Sequence, residues 1–184
     1  MIFSRFISII FLVLISPIFV AMYIFIMLSS GKPVFYLQKR IGKDNSYFIL
    51  YKFRTMRNET PDIATHLLEN PESFFIKYGA FFRKSSLDEL PQLFNILKGD
   101  MVFIGPRPAL FNQYDLIKSR QECGVHKLMP GITGWAQVNG RDSISIHKKV
   151  NFEKYYLDNK SLLLDAKILI FTIIKVFFGK DVNH

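Results

Sequence analysis

Residues 6–28 carry no charged side chain and are mostly Ile, Leu, Phe and Val. A helix apolar on every side has no face suited to water, so this run belongs in a core or in lipid. At about 1.5 Å per residue it reaches roughly 35 Å, enough for a bilayer core of about 30 Å. Ser16-Pro17 lies near its middle. Proline removes a backbone donor and crowds the preceding turn, so a kink or break is expected there, leaving halves of about 17 Å. Two geometries follow: a kinked helix that crosses the bilayer, or a re-entrant helix that enters one leaflet and returns. Intramembrane prolines are common, which leans the residues alone toward the crossing helix. A cleaved leader is a third reading and a poor match, with only Arg5 before the run and no small-x-small site after it. Lys32, Lys39, Arg40, Lys43, Lys52, Arg54 and Arg57 crowd the C-terminal flank, so the positive-inside bias puts the rest of the chain in the cytoplasm.

That divides the 184 residues into a membrane helix over 1–30 and one compact domain over 31–184. The net charge of +9 is spread along the domain and suits anionic head groups, phosphorylated substrates or nucleic acid. A single cysteine, Cys123, excludes an intrachain disulfide framework. Short strands are expected at 34–38 and 47–53 around a turn at 42–45, with a third at 102–105. Helices are expected at 63–68, 72–83, from Ser86 or Asp88 to Lys98, and at 109–122, 148–159 and 161–178. The last is apolar nearly all round and reads as an interface helix, whereas 130–139 reads as irregular. The fold class expected is mixed α/β (α+β): a small sheet with surrounding amphipathic helices at a membrane.

The chemistry concentrates at Ser86-Leu87-Asp88-Glu89-Leu90-Pro91-Gln92. Ser86-x-x-Glu89 matches a capping box, and acidic residues suit any first helical turn. In that position the Asp88 carboxylate faces the positive end of a helix and stays ionised, as a nucleophile must, while Glu89 can offer oxygen to a divalent cation. Arg83 lies just upstream, and Arg107 sits between two prolines, a stiff setting for bidentate phosphate recognition; a solvated turn arginine is the plainer reading. Residues 130–141 hold three glycines, Trp135, Gln137, Asn139 and Arg141. Such glycines let backbone amides approach a ligand, and the amide side chains can read a base or ribose edge; a structural loop around a core Trp135 is the alternative. The four histidines show no metal-ligand spacing, and no phosphate-binding loop, dinucleotide fingerprint or zinc motif is present.

Taken in order, Ser16-Pro17, Lys52-Phe53-Arg54-Thr55-Met56, the Asp88-Glu89 segment, Asn95-x-x-Lys98-Gly99-Asp100-Met101, Gly105-Pro106-Arg107-Pro108 and residues 130–141 resemble the small monotopic phosphoglycosyl transferases, the bacterial sugar transferase family. The resemblance implies transfer of a phosphosugar from a UDP-sugar to polyprenol phosphate with UMP release, as the first membrane step of glycan assembly. It implies Asp88 as nucleophile through an aspartyl-phosphosugar, Glu89 as ligand to Mg2+, and Lys52, Arg54, Arg83, Arg107, Gln137, Asn139 and Arg141 as substrate-binding residues. Glu153 stands where the family commonly carries an aspartate before the Tyr155-Tyr156 pair, and is carried over to the substrate site on that ground. The resemblance also implies the re-entrant geometry at the cytoplasmic leaflet of a bacterial inner membrane. The start of the chain, with Ser4-Arg5, lacks the family's usual basic pair and aspartate. A homodimer is compatible with these features and nucleic acid is not an expected partner. The rivals are a membrane-anchored non-catalytic scaffold and an anionic-lipid or nucleic-acid binder.

Overall fold

The computed structural model of the chain describes residues 2–61, 68–140 and 144–178. Residues 63–67 of the helix expected at 63–68, and the candidate site residue Arg141, lie outside them.

Helix α1 (Ile2–Ser30) runs without interruption through Pro17, so the break expected at Ser16-Pro17 is not formed. Proline leaves the Val13 carbonyl without its usual donor, and the Ser16 hydroxyl supplies one at 2.8 Å. One stripe of α1, at spacings of three and four residues, faces the rest of the chain. Arg5 donates to the Lys98 carbonyl at 2.9 Å and Ser8 is buried. Leu12 and Ile15 pack on Leu50, Leu93, Ile96 and Met101, while Phe19, Met22 and Ile26 pack with Val34, Phe53, Ile76 and Phe82. Ile9, Ile10, Val13, Leu14, Ile18, Val20 and Leu28 point outward from the other faces. Among the described residues α1 is the helix long and apolar enough to cross a membrane.

Strands β1 (Phe35–Ile41) and β2 (Tyr47–Phe53) form an antiparallel hairpin with Tyr36 opposite Lys52 and Gln38 opposite Leu50. Between them Asp44 and Asn45 adopt positive φ, which these two residue types tolerate. The expected helix over 72–83 is shorter: a single 3-10 turn (Pro71–Phe74), then α2 (Gly79–Lys84). Asp88 and Glu89 sit in another such turn (Leu87–Glu89), and α3 (Gln92–Lys98) begins only after Pro91, whose missing N–H suits a helix start. Ser86 has φ 57° and makes no side-chain cap, so the capping box is not formed. Asn95 of α3 is fully buried: it donates to the Ile49 carbonyl at 2.7 Å and accepts from the Tyr51 N–H at 3.0 Å, serving β2 as a neighbouring strand would.

Strand β3 (Val102–Ile104) pairs in parallel with β4 (Gly131–Thr133), inside the segment expected to be irregular. The pairing is backbone against backbone. A Cβ on Gly105 would lie 2.3 Å from the Met129 carbonyl oxygen, and one on Gly131 2.1 Å from the Gly105 nitrogen. These glycines serve chain packing, not the approach of a ligand. Helix α4 (Tyr114–Glu122) starts later than expected, and α5 (Trp135–Val138) is a single turn. Helix α6 (Ile146–Asn159) is capped by the Ser145 hydroxyl, and α7 (Leu162–Phe178) by the Ser161 hydroxyl. Trp135 stacks between Tyr155 and Phe171, joining α5, α6 and α7. Leu162, Leu163, Ile170 and Ile173 of α7 stay exposed. The architecture is mixed helix and small sheet, with an apolar N-terminal helix.

Candidate active site

The hairpin, the Leu87–Glu89 turn and the loop after β3 enclose a cleft of about 300 Å³. Its centre is a charged cluster. The Glu89 Oε1 atom lies 2.8 Å from the Lys52 ammonium and 3.3 Å from two guanidinium nitrogens of Arg107. Asp88 lies 3.9 Å from the same ammonium. Both carboxylates are at least nine-tenths buried.

The four members arrive from three parts of the chain. Lys52 is placed by β2, whose neighbouring Ile49 and Tyr51 are held by Asn95. Asp88 and Glu89 are placed by a tight turn closed by the bonds Glu89 N–H to Ser86 carbonyl and Leu90 N–H to Leu87 carbonyl. Arg107 is held from behind. Arg120 of α4 donates to the Arg107 carbonyl at 2.9 Å and forms a buried ion pair with Glu153 of α6, at 2.7 Å for its Nε. Arg40 of β1 donates to the Pro108 carbonyl at 3.0 Å.

Burial sets the electrostatics. It pushes the Asp88 carboxyl above its ordinary pKa, with Glu89 adding in the same direction and Lys52, Arg83 and Arg107 opposing. It also lowers the Lys52 pKa, against the pull of Glu89 and Asp88. The helix-start setting expected to hold Asp88 ionised is absent, and the surrounding cations oppose the upward shift without reversing it.

Arg83 lines the cleft and donates to the Met56 sulfur at 3.2 Å. Arg54 also lines it, yet its guanidinium bonds the carbonyls of Ser30 at 2.6 Å and Gly31 at 2.8 Å, tying down the C-terminal end of α1. Glu153 is outside the cleft lining and reaches the site only through Arg120. Gln137 donates to the Gly105 carbonyl at 3.3 Å and Asn139 to the Trp135 carbonyl at 2.7 Å, so both amides serve the packing of the β4–α5 segment, away from the cleft lining. Polar cleft residues that sequence reasoning missed include Gln38, Arg40, Gln113, Arg120 and Lys149. Of these Gln38 had a signal, a polar residue in an otherwise half-buried strand.

Among the described residues no cluster of three His, Cys, Asp or Glu side chains forms a closed metal cage. Two adjacent carboxylates in a cationic cleft instead fit Mg2+, which binds through one or two carboxylates together with substrate phosphates.

A family model described as bacterial sugar transferase matches residues 1–179. An uncharacterized sugar transferase of Bacillus subtilis (strain 168) is 46% identical over 157 residues, covering 85% of this chain and 76% of its own length. A UDP-glucose:undecaprenyl-phosphate glucose-1-phosphate transferase of Escherichia coli (strain K12) is 37% identical over 177 residues, 92% of this chain but 38% of the relative. A UDP-N-acetylgalactosamine-undecaprenyl-phosphate N-acetylgalactosaminephosphotransferase of Aeromonas hydrophila is 37% identical over 171 residues, 90% of this chain and 40% of the relative. The chain therefore spans about three quarters of the first of these and about two fifths of the other two.

Proposed function

Because the chain belongs to the bacterial sugar transferase family, we propose that it moves a phosphosugar from a UDP-sugar to a polyprenol phosphate and releases UMP. The observation that carries this reading is the pair Asp88 and Glu89, buried side by side in one cleft with Lys52 and Arg107 against them. Groups of this kind suit the sugar-phosphate transfers named in the relatives: a carboxylate can attack the phosphorus, and cations offset charge on the diphosphate.

In the first step an Asp88 carboxylate oxygen attacks the phosphorus that carries the sugar. The bond from that phosphorus to the oxygen shared with UMP breaks, and UMP leaves with the electron pair. In the second step a phosphate oxygen of the polyprenol phosphate attacks the same phosphorus and restores the Asp88 carboxylate. Glu89 would hold Mg2+, which supplies charge neutralisation at the diphosphate. Lys52 holds Asp88 and Glu89 in register, and Arg107 and Arg83 offset charge on the transferred group. Contacts from Arg5 to Ile26 hold α1 against the domain, which supports keeping both of its ends on the cytoplasmic side of the membrane, as the re-entrant reading requires, over a crossing helix that would carry Arg5 away from Lys98.

The test is UMP release from a panel of UDP-sugars by the full chain in nanodiscs with undecaprenol phosphate and Mg2+. We expect release from at least one sugar, lost without Mg2+ and reduced on the order of 10³-fold or more in Asp88→Asn. Turnover by folded Asp88→Asn at the wild-type rate would remove the nucleophile, and no release from any sugar would favour a scaffold.

A further inference from the structure

The cleft extends in two directions from its charged centre, and the hairpin register says which residues lie on each side. Lys52 is opposite Tyr36. Along the chain beyond Lys52, the wall continues through Met56 to Asn58, beside Arg83 and the end of α1. Along β1 in the other direction, the same strand face presents Gln38 and then Arg40, which reach the segment after Arg107. There β1 is extended by that segment: the Ile41 N–H donates to the Ala109 carbonyl at 3.0 Å, and Arg40 bridges Leu110. This second end is walled by Gln38, Arg40, Gln113 and Lys149 over an apolar floor of Leu110 and Leu116.

We propose that this end is the nucleoside subsite, where the uracil and ribose of the donor are read; the assignment rests on the transferase reading above. Three observations support it. The amides first suited to base reading, Gln137 and Asn139, lie away from the cleft lining, whereas Gln38 and Gln113 line the cleft that also holds Asp88. The polar groups are held in place: Arg40 Nε donates to Gln38 Oε1 at 3.0 Å, and Gln113 Oε1 accepts from the Leu110 N–H at 2.9 Å. That leaves the Gln113 amide to present its NH2 group as a donor. The donor-rich set of a guanidinium, an ammonium and amide NH2 groups complements uracil, whose edge carries two carbonyl oxygens, better than cytosine, which replaces one of them with an amine. A flat ring on two leucines completes the fit. The opposite end, beside the C-terminal end of the apolar helix, is left to the lipid phosphate.

The experiment measures UMP and CMP binding to the full chain in detergent by calorimetry, with no turnover required, for wild type, Gln113→Leu and Lys149→Gln. Steady-state KM values for donor and for polyprenol phosphate are measured in parallel. We expect each substitution to weaken UMP binding and raise the donor KM about tenfold. The polyprenol phosphate KM should stay unchanged, and Gln113→Leu should lose the preference of UMP over CMP. Lys149→Gln guards against a Gln113 variant that disturbs the Leu110 segment. Wild-type UMP affinity in both variants, or a rise confined to the polyprenol phosphate KM, would overturn the assignment. Wild-type protein that binds UMP but transfers no phosphosugar would instead sink the transferase reading and leave the subsite standing.

Discussion

Lys52 is the residue on which both carboxylates depend. Its ammonium touches Glu89 and lies within ion-pair range of Asp88, in a site where burial pushes the Asp88 carboxyl above its ordinary value. An attacking carboxylate must be ionised, so the acid limb of kcat/KM lies above the ordinary carboxyl value of 3.8. Lys52 lowers the Asp88 pKa, so Lys52→Gln moves that limb to higher pH as well as reducing the rate. A pH profile of UMP release checks this, and an unmoved or lower limb contradicts it. Stability carries the opposite dependence. The folded protein holds the Asp88 proton more tightly than the unfolded chain, so this group's contribution falls as pH rises from 3.8 through the raised value. Asp88, Glu89 and Arg107 were legible in the sequence, because a carboxylate pair before proline and an arginine between prolines are local patterns, whereas Lys52 came only through the family resemblance. Their mutual contacts were not legible, since they join residues up to 37 apart.

At the scale of elements, the ion pair between α4 and α6 holds the loop that carries Arg107. Removing one partner strands a buried charge, so Glu153→Gln should cost about 3–5 kcal/mol, read as a drop in Tm. The double replacement Arg120→Met with Glu153→Leu should recover most of that stability. It should still raise the donor KM, because the Arg107 carbonyl has lost its anchor; recovery of both stability and KM would show the pair to be structural only. Glu153 entered the sequence reading only through the family resemblance and Arg120 did not stand out, being one polar residue in a polar helix; the two meet across 33 residues. The parallel pairing of β3 with β4 was hidden for a related reason. Each strand is three residues long, and the glycines that allow their close approach read equally well as loop residues. The hairpin was more visible, since each of its strands is longer and its turn is marked by Gly42 and Asn45.

Over the whole molecule, the apolar N-terminal helix is also a core element. The sequence reading divides the chain into residues 1–30 and 31–184, a division of chemistry: the candidate catalytic groups all lie in the second part. In packing the two parts share a core, for Met22 and Ile26 lie with Phe53, Ile76 and Phe82. The register of this contact, from Arg5 to Ile26 at spacings of three and four, was invisible in a run where nearly every residue is apolar. Removal of residues 1–30 therefore exposes the Phe53 cluster and the Leu50 to Ile96 cluster together. The truncated chain should aggregate or lose its cooperative thermal transition even in detergent. A soluble truncated domain with a sharp transition and UMP binding would show that the helix is only an anchor.

The central claim is that Asp88 itself takes the phosphosugar, and intact-protein mass spectrometry tests it most directly. Full-length protein is incubated with its UDP-sugar and Mg2+ in the absence of polyprenol phosphate, then quenched and mapped by peptide. The account predicts a mass gain of one phosphosugar on the peptide containing Asp88, absent in Asp88→Asn and discharged when polyprenol phosphate is added. Turnover with no adduct at any time point, or an adduct on another residue, would contradict it.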